Sequence, residues 1–288
     1  MPAPLLVVDA DSLMHRAYHA LPDLRGADGR PVSALLGFTN ALLNLYDAEA
    51  PRALAVGIDS RLPGYRNAAL PRYQAQRDPF ETDLVEQLDD LPAYLEACGI
   101  DWARRDGFEA DDFLAAYCRV ETCAGGRALV VTSDRDAFQL VSDAVSVLRP
   151  GGASKPYERV DEVGVVERYG VLPEQVPDLI ALRGDPSDNI PGAKGVGQKT
   201  AAQLLRSHGD LDGVIARAAD LSPARAAALA ERAGDLRMDR EVATMQAGLD
   251  VERPADWTPD WEQMARAAEA RGIGRLASRL RERIGPTS

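Results

Sequence analysis

Nine acidic side chains, spread over five short segments, have the types and spacing to hold hard cations. Asp9 and Asp59 each end an apolar run, LLVVD at 5–9 and ALAVGID at 53–59. Glu109, Asp111 and Asp112 crowd into GFEADD at 107–112. Asp134 and Asp136 straddle one residue in TSDRD at 132–136, and Asp185 and Asp188 lie in the turn-rich GDPSDNIPG at 184–192. Each segment alone has a plain reading: an acidic first helical turn favoured by the dipole, a turn after a strand, a loop. The set of nine is harder to explain that way. Carboxylates this close repel one another unless a cation sits among them. Ligation by carboxylate oxygen alone selects Mg²⁺ or Mn²⁺. Two such ions roughly 4 Å apart activate water and stabilise a leaving oxygen in phosphodiester hydrolysis. His15, His19 and His208 are expected to form no ligand set and are read as incidental. Cys98, Cys118 and Cys123 form no Cys-x-x-Cys pair, so neither a zinc ribbon nor a disulfide framework is expected.

Three apolar runs deliver acids to one place. Leu5–Asp9, Ala53–Asp59 and Ala128–Asp134 read as buried parallel strands, and in open parallel sheets ligands sit beyond the strands' carboxyl ends. Helical patterns lie between them at 34–46, 84–97 and 111–123, which predicts a doubly wound α/β core. A last hairpin is expected from 145–149 and 157–160 around Gly151-Gly152. Beyond about residue 160 the strands stop. Helices are expected at about 162–169, 174–183, 198–207, 223–233, 236–246 and 261–283. The chain therefore divides into an α/β part, 1–160, and a helical part, 161–288.

The 288 residues carry 33 Lys+Arg and 45 Asp+Glu, a formal charge of −12 that argues against an acidic partner such as DNA. Setting the nine clustered acids aside leaves the remainder near neutrality, and the bases are unevenly placed. RLPGYRNAALPRYQAQR at 61–77 has Arg61, Arg66, Arg72 and Arg77 with Tyr65 and Tyr73, and no acid. Such a segment could hold phosphates and stack bases over an acidic site. GAKGVGQKTAAQLLRSH at 192–208 is also free of acids, and its glycine-rich turn before a helix offers backbone N–H groups to phosphate. It does not match a P-loop. The opening MPAPLLVVDADS has no basic region and its apolar run is cut by Asp9 and Asp11, so it is not read as a signal peptide. No stretch is apolar enough to cross a membrane. A cytoplasmic protein is expected.

GDPSDNIPGAKGVGQKTA at 184–201, GFEADD and TSDRD, in their order along the chain, resemble the 5′-nuclease family: bacterial flap endonucleases and the 5′→3′ exonuclease domain of DNA polymerase I. The resemblance runs from about residue 4 to 284, and no polymerase sequence follows, so a free-standing form is expected. It implies a PIN-like, Rossmann-like nuclease core with a helical arch at about 60–92. It also implies a C-terminal region with a helix–two-turn–helix element at about 184–208. Two or three divalent ions, Mg²⁺ or Mn²⁺, are implied, with Asp9, Asp59, Glu109, Asp111 and Asp112 on the first cluster. Asp134, Asp136, Asp185 and Asp188 fall on the others. Lys194, Gly195, Gly197, Lys199 and Thr200 fall on the element that grips duplex backbone, with a monovalent cation (K⁺). Arg16 matches a family position near the site, and Arg66, Arg72, Tyr73 and Arg77 fall on the arch. The implied activity is structure-selective 5′→3′ exonuclease and 5′-flap endonuclease cleavage of DNA in replication and repair, by a monomer acting at a 5′ single-strand/duplex junction.

Two departures stand out. The family's arch reads Tyr-Lys-x-x-Arg, whereas here it is Tyr73-Gln74-Ala75-Gln76-Arg77; and Arg135 stands where the family has lysine between two aspartates. Gln74 motivates one rival, a junction-binding protein that has lost turnover. Asp9-Ala10-Asp11-Ser12 motivates another, a haloacid-dehalogenase-type phosphatase with Asp9 as nucleophile and Asp11 as acid.

Overall fold

Strand residues alternate between two cores. Leu5 and Val7 join Ala53, Ala55 and Val130 on one face of the sheet, while Leu6 and Val8 join Leu54, Val56, Leu129 and Val131 on the other. Both faces are covered, as the continuous apolar strands predict. The computed structural model describes residues 2–151 and 157–284. The elements in the first half run β1 (Leu5–Asp9), α1 (Ala10–Ala20), α2 (Ser33–Glu49), β2 (Ala53–Gly57), α3 (Tyr65–Ala69), α4 (Thr82–Ala97), β3 (Asp101–Ala103), α5 (Ala110–Cys123) and β4 (Ala128–Val131). Then come β5 (Val145–Pro150), β6 (Tyr157–Val160), α6 (Glu162–Tyr169), α7 (Val176–Arg183), α8 (Gln198–His208), α9 (Leu211–Ala216), α10 (Pro223–Ala243), α11 (Trp261–Glu269) and α12 (Gly274–Arg281).

The sheet order is β3-β2-β1-β4-β5-β6, parallel except for the β5–β6 hairpin. The expected hairpin forms, although the part of its turn at 152–156 lies outside the described residues. β1 lies between β2 and β4, where the order reverses, so the carboxyl ends of the three acid-bearing strands meet at a topological switch point. β2 ends at Gly57, where only glycine fits because a Cβ would stand 2.8 Å from the Ala110 carbonyl. That close approach seats the start of α5 over the strand ends.

Four differences from the sequence reading have physical causes. Helix α1 has no expected counterpart, because its polar residues dilute the apolar face to Ala10, Leu13 and Met14. α10 is one helix where two are expected, since Gly234 interrupts the pattern without breaking the helix. The single helix expected at 261–283 is two, separated at Gly272, whose φ is +73 and whose Cβ would meet the Ala27 nitrogen at 2.5 Å. The 60–92 segment is not one free-standing arch. α3 and the turns after it are packed down by Arg66, Leu70 and Tyr73, all buried, and the longest exposed run before α4 is the strap at 75–81.

The helices after β6 also divide between the two faces. α7, α8, α9 and α10 pack on one another in the core that also holds α5, whereas Met264, Leu276 and Leu280 of the closing helices join the core of α1, α2 and α4. Arg271 pairs with Asp90 of α4, and the Trp257 N–H donates to the Arg52 carbonyl at 2.7 Å. Among the described residues no helix is long and apolar enough to cross a membrane.

Candidate active site

A cavity of about 880 Å³ opens at the carboxyl ends of β1, β2 and β4. Eight of the nine acids line it: Asp9, Asp59, Glu109, Asp111, Asp134, Asp136, Asp185 and Asp188. Local hydrogen bonds aim them. Asp9 caps α1, accepting from the Ser12 N–H at 2.9 Å and from the Thr132 hydroxyl at 2.6 Å. Asp59 accepts from the Ala110 N–H at 2.6 Å, which ties the end of β2 to the start of α5. Asp134 accepts from the Asp136 N–H at 2.8 Å in the turn after β4. Asp185 and Ile190 exchange two backbone hydrogen bonds at 2.8 Å, folding the 184–192 segment into a loop that turns both Asp185 and Asp188 inward.

Asp112 is the exception, and it corrects the sequence reading. Its carboxylate is fully buried and receives Arg66 on both oxygens at 2.9 Å, the Tyr65 hydroxyl, the Gln246 N–H and the Glu109 N–H. Those five donors occupy its lone pairs, so it is not a ligand for an ion. Arg66 is corrected with it. The side chain is 4% exposed and locks α3 to α5 and α10, rather than meeting DNA. Tyr73 is also buried, and its hydroxyl donates to Glu109 at 3.0 Å, so it positions an acid and has no free face for a base. Arg72 pairs with the buried Asp239 of α10 at 3.1 Å. Arg16 and Arg77 remain exposed on the cavity wall. Lys194, Gly195 and Gly197 are exposed on the turn before α8, which Ala193 and Val196 anchor in the core; Lys199, exposed, and Thr200, half-buried, lie in the first turn of α8.

The structure adds residues that the sequence reading did not assign to this role. Asp11 lines the cavity, accepts from the Asp59 N–H at 2.8 Å and lies 3.1 Å from Arg61. It faces a structural partner and not a reacting group, so the Asp9/Asp11 phosphatase reading has no support. Gln74, at φ +52, donates to the Tyr73 hydroxyl at 2.7 Å and to Asp188 at 3.2 Å, and Arg77 reaches the same Asp188 oxygen at 2.7 Å. The helix α1 that carries Asp11 was not legible, so neither was its pairing with Arg61.

Six of these acids, Asp9, Asp59, Glu109, Asp111, Asp136 and Asp188, hold protons more tightly than free carboxylates do. Burial raises Asp9 to about 7 against its hydrogen bonds, with repulsion from Asp11 and Asp134 adding to it. Burial and neighbouring acids push Asp59, Asp111 and Asp136 well up, and burial raises Asp188 to about 6 despite Arg77. Glu109 is raised by burial, against Arg66. A carboxylate raised on folding stabilises the fold at low pH, and that contribution is lost as pH climbs through its folded value. Metal-free protein in EDTA should therefore melt lower at pH 8 than at pH 5.5, by about 5 °C or more. Calorimetry at both pH values checks this; a flat or rising melting temperature would mean that the acids are not mutually strained.

Residues 4–170 match the family described as "5'-3' exonuclease, N-terminal resolvase-like domain", and residues 171–265 match its "C-terminal SAM fold". The chain belongs to the 5′-3′ exonuclease family. DNA polymerase I of Mycobacterium tuberculosis is 42% identical over 213 residues, 73% of this chain and 24% of that protein. Thermostable DNA polymerase I of Thermus thermophilus is 34% identical over 249 residues, 86% of this chain and 29% of that protein. The chain thus spans about a quarter of the length of these polymerases. Among solved structures, the flap endonuclease of bacteriophage T5, in a pseudo-enzyme-product complex with DNA and metal ions, superposes with a TM-score of 0.71. It is 19% identical, covering 97% of this chain and 98% of that one. The catalytic core of Rad2 with DNA substrate gives 0.61 at 15% identity, covering 96% and 91%. These likenesses support the mostly parallel nuclease core with a helical C-terminal part. Within the exonuclease family's frame, the cavity is the place where the N-terminal unit's strand ends face the loop of the C-terminal unit at 184–192.

Proposed function

We propose that this chain is a structure-selective 5′ nuclease that hydrolyses DNA at a junction between duplex and 5′ single strand. The observation that carries the reading is the cavity itself: eight carboxylates from both matched units, several with raised proton affinity, face one space. The donor set fits hard divalent ions such as Mg²⁺ or Mn²⁺. Among the described residues no three acids are already drawn into one cage. Such ions supply a nucleophile at neutral pH and offset charge on the leaving oxygen.

The protein's own residues do the positioning. Ser12 and Thr132 fix Asp9, Tyr73 and the Arg66–Asp112 pair fix Glu109, and Gln74 with Arg77 fixes Asp188. Arg16 and Arg77 stand on the wall to meet phosphate ahead of the reacting bond. Lys194, Lys199 and the Gly195–Gly197 turn offer the duplex backbone cations and N–H groups, and a K⁺ held at that turn would add positive charge for phosphate. We assign the division at about residue 160, the cytoplasmic location and the action on replication and repair intermediates as parts of the same reading.

A labelled 5′-flap duplex incubated with Mg²⁺, Mn²⁺ or EDTA tests it. Cleavage next to the junction, leaving a 5′-phosphate and a 3′-hydroxyl and absent in EDTA, is expected; cleavage that ignores the junction or survives EDTA would overturn it. In the same system, replacing Lys194 and Lys199 by Ala should weaken duplex binding. The slope of log affinity on log salt should become shallower by about 0.9 for each phosphate that is no longer neutralised.

A further inference from the structure

His15 and His19, one turn apart on α1, bring their Nε2 atoms to 3.2 Å at the mouth of the cavity. Two imidazole nitrogens bound at about 2.0–2.1 Å to one tetrahedral ion would stand about 3.3–3.4 Å apart. The pair therefore already has the bite of a chelate. Both side chains are exposed, so an ion can reach them. Across the mouth lies the strap before α4: the Phe80 ring is 5.6 Å from the His15 ring, and the Glu81 carboxylate is near enough for its charge to act on His15.

We propose that His15 and His19 form a two-nitrogen chelate for a late first-row divalent ion of the Zn²⁺ class, separate from the carboxylate centre. Imidazole suits Zn²⁺, Ni²⁺ and Cu²⁺, whereas Mg²⁺ takes oxygen and keeps its water, so Mg²⁺ fills the carboxylate centre without competing for the histidine pair. In the free pair one ring carries its proton on Nε2 and the other accepts it. Binding needs that ring in its Nδ1–H tautomer, with no change in charge. Burial and the neighbouring His19 hold His15 below the ordinary histidine range, which keeps it neutral and ready to bind at neutral pH. Water completes the coordination, and the charge of Glu81 favours a cation beside His15. An ion there sits at the mouth of the cavity next to the strap, so it should inhibit; this consequence rests on the nuclease reading, while the binding does not.

The test is calorimetric titration of Zn²⁺ into the full chain in excess Mg²⁺ at neutral pH, for the parent, His19→Gln, His15→Gln and Asp111→Asn proteins. The parent and Asp111→Asn should bind Zn²⁺ alike, and either histidine variant at least about tenfold more weakly. Circular dichroism confirms that each variant is folded. Unchanged affinity in both histidine variants, a loss confined to Asp111→Asn, or no Zn²⁺ binding by the parent would each overturn the proposal. Failure to cleave flap DNA would count against the nuclease reading and leave this binding result untouched.

Discussion

Asp111→Asn protein should cleave flap DNA at least about a hundredfold more slowly than the parent, and yet melt at a higher temperature in EDTA. The two effects have one origin. Asp111 opens α5 on the floor of the cavity, where burial and the charges of Asp134 and Asp9 work against its ionised form, with Arg66 pulling the other way. An amide of the same shape removes that repulsion and gains a donor that the surrounding acids can accept. It also removes an oxygen anion from the place where ions must gather. Saturating Mg²⁺ should reverse the order of melting temperatures, because the parent gains more from a ligand that binds only the folded state. Calorimetry with and without Mg²⁺, beside single-turnover cleavage, reads both. A variant that is slow and also less stable without metal would place Asp111 in the scaffold.

Asp112→Ala is expected to behave in the opposite way: it should cost about 3–5 kcal/mol of stability, and the loss should be the same in EDTA and in Mg²⁺. Removing this carboxylate strands the Arg66 guanidinium, which is buried with little else to neutralise it than the more distant Glu109 at 3.5 Å. Arg66→Met combined with Asp112→Leu should recover part of that loss, since no charge is then left buried. Recovery stays partial because the Tyr65 hydroxyl and the Gln246 and Glu109 N–H groups lose their acceptor. Urea melts of the single and double variants measure the difference. A metal ligand would give the reverse pattern, with stability kept and the Mg²⁺ response abolished.

These two neighbours show how far the sequence could be read. Asp111 and Asp112 are adjacent in GFEADD and identical in type, and nothing local separates them. Their fates differ because a helix turns one toward the cavity and the next toward α3. The Arg66 and Gln246 that claim Asp112 lie 46 and 134 positions away. The strand-end acids were legible for the converse reason: an apolar run ending in Asp sets its own direction, and three parallel copies share one edge. Helix α1 was not legible, because its apolar face is short and its Asp11, His15 and His19 face the cavity. Without that helix the four-residue spacing of the two histidines carried no meaning. Tyr73 and Arg66 were misread, since a basic, aromatic segment looks exposed until its partners, Glu109 and Asp112, are in place.

The closing helices set the order in which this chain can finish folding. The apolar flank of α1, α2 and α4 is complete only when Met264, Leu276 and Leu280 arrive, more than 160 residues after α4 ends. During synthesis that flank is made early and covered late. Pairings of such long range slow folding and leave apolar surface open to other chains in the interval. Arg271 on Asp90 and Trp257 on Arg52 are thus the last fastenings to close, over the outer flank of the helices that cover one face of the sheet.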